Sequence, residues 1–255
     1  KSKKIPADIE EYIIENDNVK KEIRGMYKNS VLGIVWSFLN PLLQLLVYSV
    51  IFGALLAGSD STYYIYICVA LIPWTYFTTT ISQAAFTIIG NADIIKKVYF
   101  PREILPISVV TSGAINFLIS TIIILVFVII AGIGISKYIV LYPVILLIQY
   151  ILLLGIGFIV SAITVYFRDL EHIIGIVLMA AFYGTPIVYK LEQLPPNLQM
   201  LMNINPMTHL INAYRDIFYS WWECSFGIDN LYCNKFYRDK QFLILQGYVW
   251  RSISF

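Results

Sequence analysis

The chain has 255 residues, of which 58% are hydrophobic and only 13% are charged. A soluble domain would carry about 25% charged residues, so the composition excludes a soluble enzyme, a disordered chain and a disulfide-rich scaffold. The net charge of +2 is too small to indicate nucleic-acid binding. The composition therefore predicts a membrane protein.

Stretches without Asp, Glu, Lys or Arg predict the membrane-spanning helices. Four of them hold about 30 residues each, and a helix needs about 20 to cross a bilayer. They are too long for barrel strands and lack the alternation of such strands, so we expect an all-α, polytopic helical bundle. A fifth stretch is shorter and is interrupted by Gly184 and Pro186. The five stretches are residues 29–59, 61–92, 104–136, 138–167 and 172–189.

Basic residues cluster on alternate sides of these stretches. Residues 1–30 carry seven Lys or Arg and residues 91–103 carry three, whereas residues 58–64 and 132–142 carry at most one. The positive-inside rule therefore places the N-terminus, the 91–103 loop and Arg168 in the cytoplasm. This alternation predicts a multi-pass protein with four successive full spans.

Residues 1–30 are predicted to form an amphipathic helix. Apolar side chains such as Ile9, Ile13 and Ile23 follow three-four spacing, with acids and lysines between them. Such a helix would lie in the membrane interface, with its basic residues near anionic lipids. A solvated helix that packs on another protein is the alternative. The basic residues assigned to this interface are Lys20, Lys21, Arg24 and Lys28.

The motifs of common enzymes and metal sites are missing from the sequence. The two histidines and three cysteines lack metal-ligand spacing, and no HExxH, GxSxG or Walker A pattern occurs. The glycine pairs at residues 132–134 and 155–157 are interpreted as turns or close helix packing. The four long stretches contain no carboxylate of the kind that proton-coupled carriers use. We therefore predict no catalytic or metal site, and expect any energy source to lie outside this chain.

Three ordered sets of residues carry a family resemblance. Residues 24–41 contain a basic residue, Tyr-Lys, Leu-Gly-x-x-Trp and a final proline, and residues 91–106 form a polar loop before the third span. The third set comprises Phe167-Arg168-Asp169, Thr185-Pro186-Ile187, Asn205-Pro206 and Ala213-Tyr214-Arg215. In this order, over residues 5–220, they resemble the permease subunits of type-2 ABC exporters for bacterial surface polysaccharides such as O-antigen, capsule and teichoic acid.

The resemblance implies a homodimeric permease of the bacterial inner membrane, with about six spans and re-entrant periplasmic helices. It also implies two copies of a separate ATP-binding subunit, which would bind ATP and Mg, so that no cofactor is expected in this chain. The substrate would be a lipid-linked polysaccharide that moves from cytoplasm to periplasm. One alternative is an ABC permease for a drug or a lipid. Another is an integral-membrane glycolipid enzyme that uses the Arg168-Asp169-x-Glu171 cluster.

The same resemblance implies which residues meet the ATP-binding subunit. The family places the loop before the third span against that subunit, and prolines at its ends would let a short polar helix move as a rigid body. The alternative is a positive-inside anchor without a partner. The proposed coupling residues are Asn91, Asp93, Lys96, Lys97 and Arg102, with Arg168, Asp169 and Glu171 at the next cytoplasmic span end.

Aromatic side chains are abundant, with 19 Tyr, 15 Phe and 5 Trp. Sugar rings have apolar faces that stack on aromatic rings and hydroxyls that form hydrogen bonds, so a pore lined by Tyr and Trp could guide a glycan. The competing interpretation is the aromatic belt at the membrane interface. The predicted polysaccharide-channel residues are Trp36, Phe38, Tyr48, Trp74, Tyr76, Tyr183 and Tyr189.

The predicted organisation has three parts: the interface helix at residues 1–30, a transmembrane permease domain at 31–220 and an atypical segment at 221–255. A sixth span is expected in the last part, but charged residues interrupt it and the neutral remainder, 241–250, is too short to cross. A divergent natural end, an appended expression tail and a frameshift would each explain this departure. The abrupt change in character favours the frameshift.

Overall fold

The computed structural model describes residues 35–56, 62–92, 102–132, 137–167 and 169–219. The described part of the chain contains helices and no strands, which confirms the predicted all-α membrane bundle. The interface helix at residues 1–30 and the atypical segment at 221–255 lie outside the described residues, and both stay predictions. The helices are α1 Val35–Leu56, α2 Tyr63–Gly90, α3 Ile104–Ile130, α4 Tyr142–Tyr166, α5 Leu170–Tyr183, α6 Pro196–Met202 and α7 Pro206–Phe218.

Three stretches of the described chain are long and apolar enough to cross a membrane. They are Tyr63–Gly90, Ile104–Ile130 and Ile139–Tyr166, and they coincide with the second, third and fourth predicted spans. At the first predicted span lies α1, whose 22 residues correspond to about 33 Å of helix, against about 30 Å of bilayer hydrocarbon. Its apolar portion, Phe38–Gly53, is shorter. Three predicted spans are therefore confirmed, and the first stays a prediction.

Local sequence signals account for two helix ends. The third uncharged stretch runs to residue 136, but α3 ends at Ile130 and Gly132 follows with φ of 70°. Only glycine adopts this left-handed conformation without steric cost, so it ends the helix. At the start of α7, the Asn205 Oδ1 accepts a hydrogen bond from the Met207 amide at 3.0 Å and caps the first turn.

Helix α2 forms the centre of the bundle. It packs against α1, α3, α4, α5 and α7. Of the 18 residues that form its most apolar stretch, 78% are buried. The corresponding shares are 44% for α3 and 28% for α4. Helices α1, α3, α4 and α5 all expose large apolar side chains that are available to lipid, whereas α2 is surrounded by protein.

Pairwise contacts fix the directions of the helices. The Tyr64 ring, at the start of α2, packs on Phe127, at the end of α3, so these helices are antiparallel. Gln149, near the start of α4, bonds to Pro73 in the first half of α2, so these two helices are parallel. We call the end of the bundle with the start of α2 the Thr62 end. The opposite end, where α2 finishes and α3 and α5 begin, is the Asn91 end.

The segment after α4 folds back on the bundle. Helices α5, α6 and α7 have 14, 7 and 13 residues. At 1.5 Å per residue these are about 21, 11 and 20 Å long, too short to cross a bilayer of about 30 Å. The chain after α7 returns to the Thr62 end, where the Tyr219 hydroxyl lies 3.1 Å from Thr62 Oγ1. This arrangement agrees with the re-entrant helices that the resemblance implies.

Candidate functional site

Three predicted channel aromatics line one cleft between α1, α2 and α5. Its volume is about 310 Å³, and Tyr48, Trp74 and Tyr183 contribute to its wall. Phe182, which the sequence reasoning did not single out, lies between them. Its ring stacks on Tyr48 at 5.4 Å and meets Trp74 edge-on at 6.0 Å. The remaining lining residues are Thr78, Ser82, Gly175, Leu178 and Met179.

The chemistry of this cleft suits a neutral polar ligand with apolar faces. The lining side chains are aromatic, hydroxylic or aliphatic, and none carries a formal charge. Aromatic faces stack on flat apolar surfaces, and the Ser82 hydroxyl can donate and accept hydrogen bonds. The Thr78 hydroxyl donates within its own helix and is left to accept. Tyr183 is 62% exposed, so its ring is accessible in the isolated protomer.

Two predicted channel residues lie elsewhere in the bundle. Tyr76 is 4% exposed and faces α3, where its hydroxyl donates to the Val110 carbonyl at 3.2 Å and its ring stacks on Phe117 at 5.1 Å. Tyr189 follows α5, and its hydroxyl donates to the Tyr183 carbonyl at 2.6 Å. Neither lines the cleft. The geometry gives Tyr76 a packing role in this protomer and gives Tyr189 a role in holding the end of α5.

The other two predicted channel residues lie near the start of α1. Trp36 is 39% exposed, and Phe38 is partly buried against the core. Neither belongs to the cleft lining. Their contribution to a channel stays a prediction.

Separate parts of the third motif set meet at the end of α5. The Thr185 hydroxyl donates to the Ala181 carbonyl at 2.7 Å, and Asn205 Nδ2 donates to Thr185 Oγ1 at 2.9 Å. Arg215, 30 residues further along the chain than Thr185, donates to the Pro186 carbonyl at 2.6 Å. The motifs are dispersed in sequence but adjacent in space, so α7 is attached to the end of α5.

Arg215 is the buried charge of this region and is only 4% exposed. Its guanidinium carbon lies 3.6 Å from the centre of the Tyr66 ring, a cation–π contact. Burial lowers the pKa of Arg215, but the guanidinium stays protonated because arginine starts from a very high pKa. The sequence reasoning recognised the Ala213-Tyr214-Arg215 motif but missed the burial of this charge.

A buried polar chain joins α7 to the two helices behind it. The Tyr214 hydroxyl donates to Gln149 Oε1 at 2.9 Å, and Gln149 Nε2 donates to the Pro73 carbonyl at 2.9 Å. Both side chains are fully buried. Because an unpaired buried amide is costly, these bonds specify how α7 sits on α4 and α2. Nothing in the sequence indicated this role for Gln149, because it is an isolated polar residue in an apolar stretch and belongs to no recognisable motif.

The proposed coupling residues that the structure describes lie at the Asn91 end. Asn91 follows α2, and its side-chain amide donates to the Thr87 carbonyl at 2.8 Å. Arg102 and Asp169 are exposed at the starts of α3 and α5. Glu171 belongs to the first turn of α5. The other four, Asp93, Lys96, Lys97 and Arg168, lie outside the described residues.

These features define a polytopic α-helical membrane protein with an uncharged aromatic cleft and a hydrogen-bonded cap at one end. Residues 18–219 match the sequence profile of the ABC-2 type transporter family. The chain therefore belongs to this family, which confirms the resemblance inferred from its motifs. Membership makes it a transport protein rather than an enzyme and implies an ATP-binding partner subunit.

Two relatives sharpen this assignment. The chain is 36% identical over 203 residues to the O-antigen export system permease protein RfbA of Myxococcus xanthus, covering 79% of this chain and 78% of that protein. It is 34% identical over 199 residues to the O-antigen export system permease protein RfbA of Klebsiella pneumoniae, covering 78% and 77%. Both are proteins to which this chain is similar.

Proposed function

We propose that this chain is the membrane subunit of an ATP-driven exporter that moves a lipid-linked, O-antigen-like polysaccharide from cytoplasm to periplasm across the bacterial inner membrane. The observation that carries the proposal is the similarity to two O-antigen export permeases over more than three quarters of the chain. The chain works as a homodimer with two copies of a separate ATP-binding subunit, which binds ATP and Mg.

The aromatic cleft supports a glycan as the substrate. Tyr183 offers an exposed ring for stacking, Tyr48 and Trp74 contribute to the aromatic wall behind it, and Thr78 and Ser82 offer hydroxyls. The uncharged lining would hold successive sugar units weakly, because it has no fixed charge to trap an ionic group. In the dimer the two clefts contribute to one path, and the apolar faces of α3 and α4 contact lipid.

The Asn91 end is the proposed contact surface for the ATP-binding subunit. It holds Asn91, Arg102 and Asp169 at helix ends and is the cytoplasmic side in the proposed orientation, with the N-terminus also cytoplasmic. Loop 93–101 would transmit the motion of the ATP-binding subunit to α2 and α3, whose ends it joins. The coupling set comprises Asn91, Asp93, Lys96, Lys97, Arg102, Arg168, Asp169 and Glu171.

Charge reversal tests this contact surface. Lys96→Glu combined with Lys97→Glu should lower the ATPase activity of the assembled complex by about tenfold or more, because like charges placed opposite each other across an interface cost several kcal/mol. Membrane insertion should stay intact. Lys190→Glu, a charge reversal at the Thr62 end, serves as the matched control and should leave the activity unchanged. Unaltered ATPase activity in the double variant would remove the loop from the interface.

Deletion of the gene in the native host tests the substrate class. We expect the surface polysaccharide to disappear and its lipid-linked precursor to accumulate on the cytoplasmic side, as measured by immunoblotting and by mass spectrometry of extracted lipids. A plasmid with the wild-type gene should restore the surface polysaccharide. Unchanged surface polysaccharide in the deletion strain would contradict the proposal and favour an ABC permease for a drug or a lipid.

A further inference from the structure

The chain beyond the aromatic end of α5 contains an irregular stretch, residues 186–189, which we call the capping segment. Arg215 reaches it from α7 with both terminal nitrogens. One donates to the Pro186 carbonyl at 2.6 Å, and the other donates to the Ile187 carbonyl at 2.7 Å. The guanidinium carbon lies over the Tyr66 ring, 3.6 Å from its centre. A single buried side chain therefore binds two successive peptide groups and one aromatic ring.

Two tyrosines of α2 bind the rest of the capping segment. The Tyr63 hydroxyl donates to the Val188 carbonyl, and the Tyr66 hydroxyl donates to the Tyr189 carbonyl at 2.9 Å. All four consecutive carbonyls of the segment thus accept hydrogen bonds from side chains. Irregular backbone inside a membrane protein is tolerated where its polar groups are satisfied by protein. Tyr63, Tyr66 and Arg215 satisfy this requirement, and we call them the carbonyl clamp.

The clamp is connected to the wall of the cleft. Phe182 and Tyr183 end α5 two residues before Thr185, and both line the cleft. The Tyr189 side chain, at the far end of the capping segment, donates to the Tyr183 carbonyl, and Thr185 donates to the Ala181 carbonyl. The last turn of α5 and the capping segment therefore form one hydrogen-bonded unit. Moving the capping segment would move the aromatic wall.

We propose that Arg215 is a positioning residue for transport. Through the carbonyl clamp it fixes the capping segment against α2, and this holds Phe182 and Tyr183 at the spacing from Trp74 that the cleft requires. The inference rests on the proposed function, because the cleft is taken to be part of the glycan path. Arginine suits this role since its planar fork binds two acceptors at once and stacks on an aromatic face, which lysine does less well.

The test combines amide hydrogen exchange with a transport assay. The full-length protein, assembled with its ATP-binding subunit in lipid nanodiscs, is compared as wild type and Arg215→Gln. Arg215 bonds to carbonyls, so its loss should act on the amides by letting the buried segment open to solvent. We expect amide exchange at residues 187–190 to rise by about tenfold, as the loss of a charge-assisted hydrogen bond would allow. Exchange in α3 should stay unchanged. Surface polysaccharide in the complemented deletion strain should fall by about fivefold or more, while ATPase activity stays within about twofold.

Three further variants separate positioning from folding. Tyr66→Phe keeps the ring and removes the hydroxyl, which bonds to the Tyr189 carbonyl and also to Arg215, so it should raise exchange in the capping segment without affecting α3. Arg215→Lys keeps the charge but not the planar fork, so it should restore part of the export lost in Arg215→Gln. Met200→Ala on α6 is the control, because the Met200 side chain is 75% exposed. It should leave exchange and export unchanged.

Each result supports or overturns the assignment. Faster exchange confined to residues 187–190, together with reduced export and partial rescue by lysine, supports the positioning role. Unchanged exchange at these residues in Arg215→Gln would overturn it, as would faster exchange with undiminished export. Faster exchange throughout α3 in both Arg215→Gln and Tyr66→Phe would also overturn it, because the clamp would then be a general folding element. If wild type itself fails to restore surface polysaccharide, the proposed function fails, and the exchange data still test the clamp.

Discussion

Gly113→Ala should destabilise the bundle because α2 and α3 approach each other closely at this position. A Cβ added at Gly113 would lie 2.6 Å from Thr80 Oγ1 and 2.9 Å from Tyr76 Cε2. The Tyr76 ring cannot easily retreat, since its hydroxyl bonds to Val110 and its face stacks on Phe117. The helices would have to separate to accommodate one methyl group.

The magnitude follows from a comparison with a second glycine. At Gly155, on the exposed face of α4, an added Cβ meets nothing within 4 Å. Both substitutions gain the helix propensity of alanine, about 1 kcal/mol. Only Gly113→Ala also carries an overpacking cost, typically about 1–3 kcal/mol. The two variants should therefore differ in free energy of unfolding by about 2 kcal/mol, which corresponds to about 4–8 °C in Tm.

The buried thiol of Cys68 provides the assay. It is 1% exposed in the folded protein, so a thiol-reactive fluorophore reports its exposure on heating once Cys224 and Cys233 are replaced by serine. Gly155→Ala should melt at or slightly above the temperature of the parent, and Gly113→Ala should melt below it. Equal shifts for the two variants would refute the close approach of α2 and α3.

Two further predictions concern the buried polar chain and the cleft. Tyr214→Phe should lower the free energy of unfolding by about 1 kcal/mol, because it removes the donor to Gln149, and the same thermal assay should show no change for the exposed Tyr166→Phe. Tyr183→Ala should reduce surface polysaccharide in the complemented deletion strain by about fivefold, since a stacked ring contributes about 1 kcal/mol. Leu147→Ala, an exposed truncation on the apolar face of α4, should leave export unchanged, and equal effects of the two truncations would exclude a specific role for the cleft.

The positions of the spans could be predicted because charge is costly in lipid. Asp60 and Asp93 bound the uncharged stretch that matches α2, and Glu103 and Lys137 bound the one that matches α3. Helix ends depend on local backbone conformation, which the distribution of charged residues does not predict. Helix α3 therefore ends before Gly132, whose φ is 70°, rather than at residue 136. Fold class and the approximate limits of the spans are therefore readable from the sequence.

The residues that line the cleft were less predictable, because the same pattern of aromatic residues in an apolar helix occurs on surfaces with different roles. An aromatic side chain in an apolar helix can face lipid, a neighbouring helix or a channel, and its sequence neighbours do not distinguish these surfaces. Tyr48, Trp74 and Tyr183 meet at one cleft, whereas Tyr76, two residues after Trp74, is turned toward α3. Arg215 illustrates the same limit, since its burial depends on a segment almost 30 residues away.

Reconstitution tests the central claim most directly. Vesicles would contain the purified chain and its ATP-binding subunit, with the lipid-linked polysaccharide of the native host labelled on the face that carries that subunit. We expect the glycan to become accessible to an added glycosidase on the opposite face only when ATP and both proteins are present. Transfer without ATP or without the ATP-binding subunit, or ATP hydrolysis with no movement of the glycan, would contradict the account.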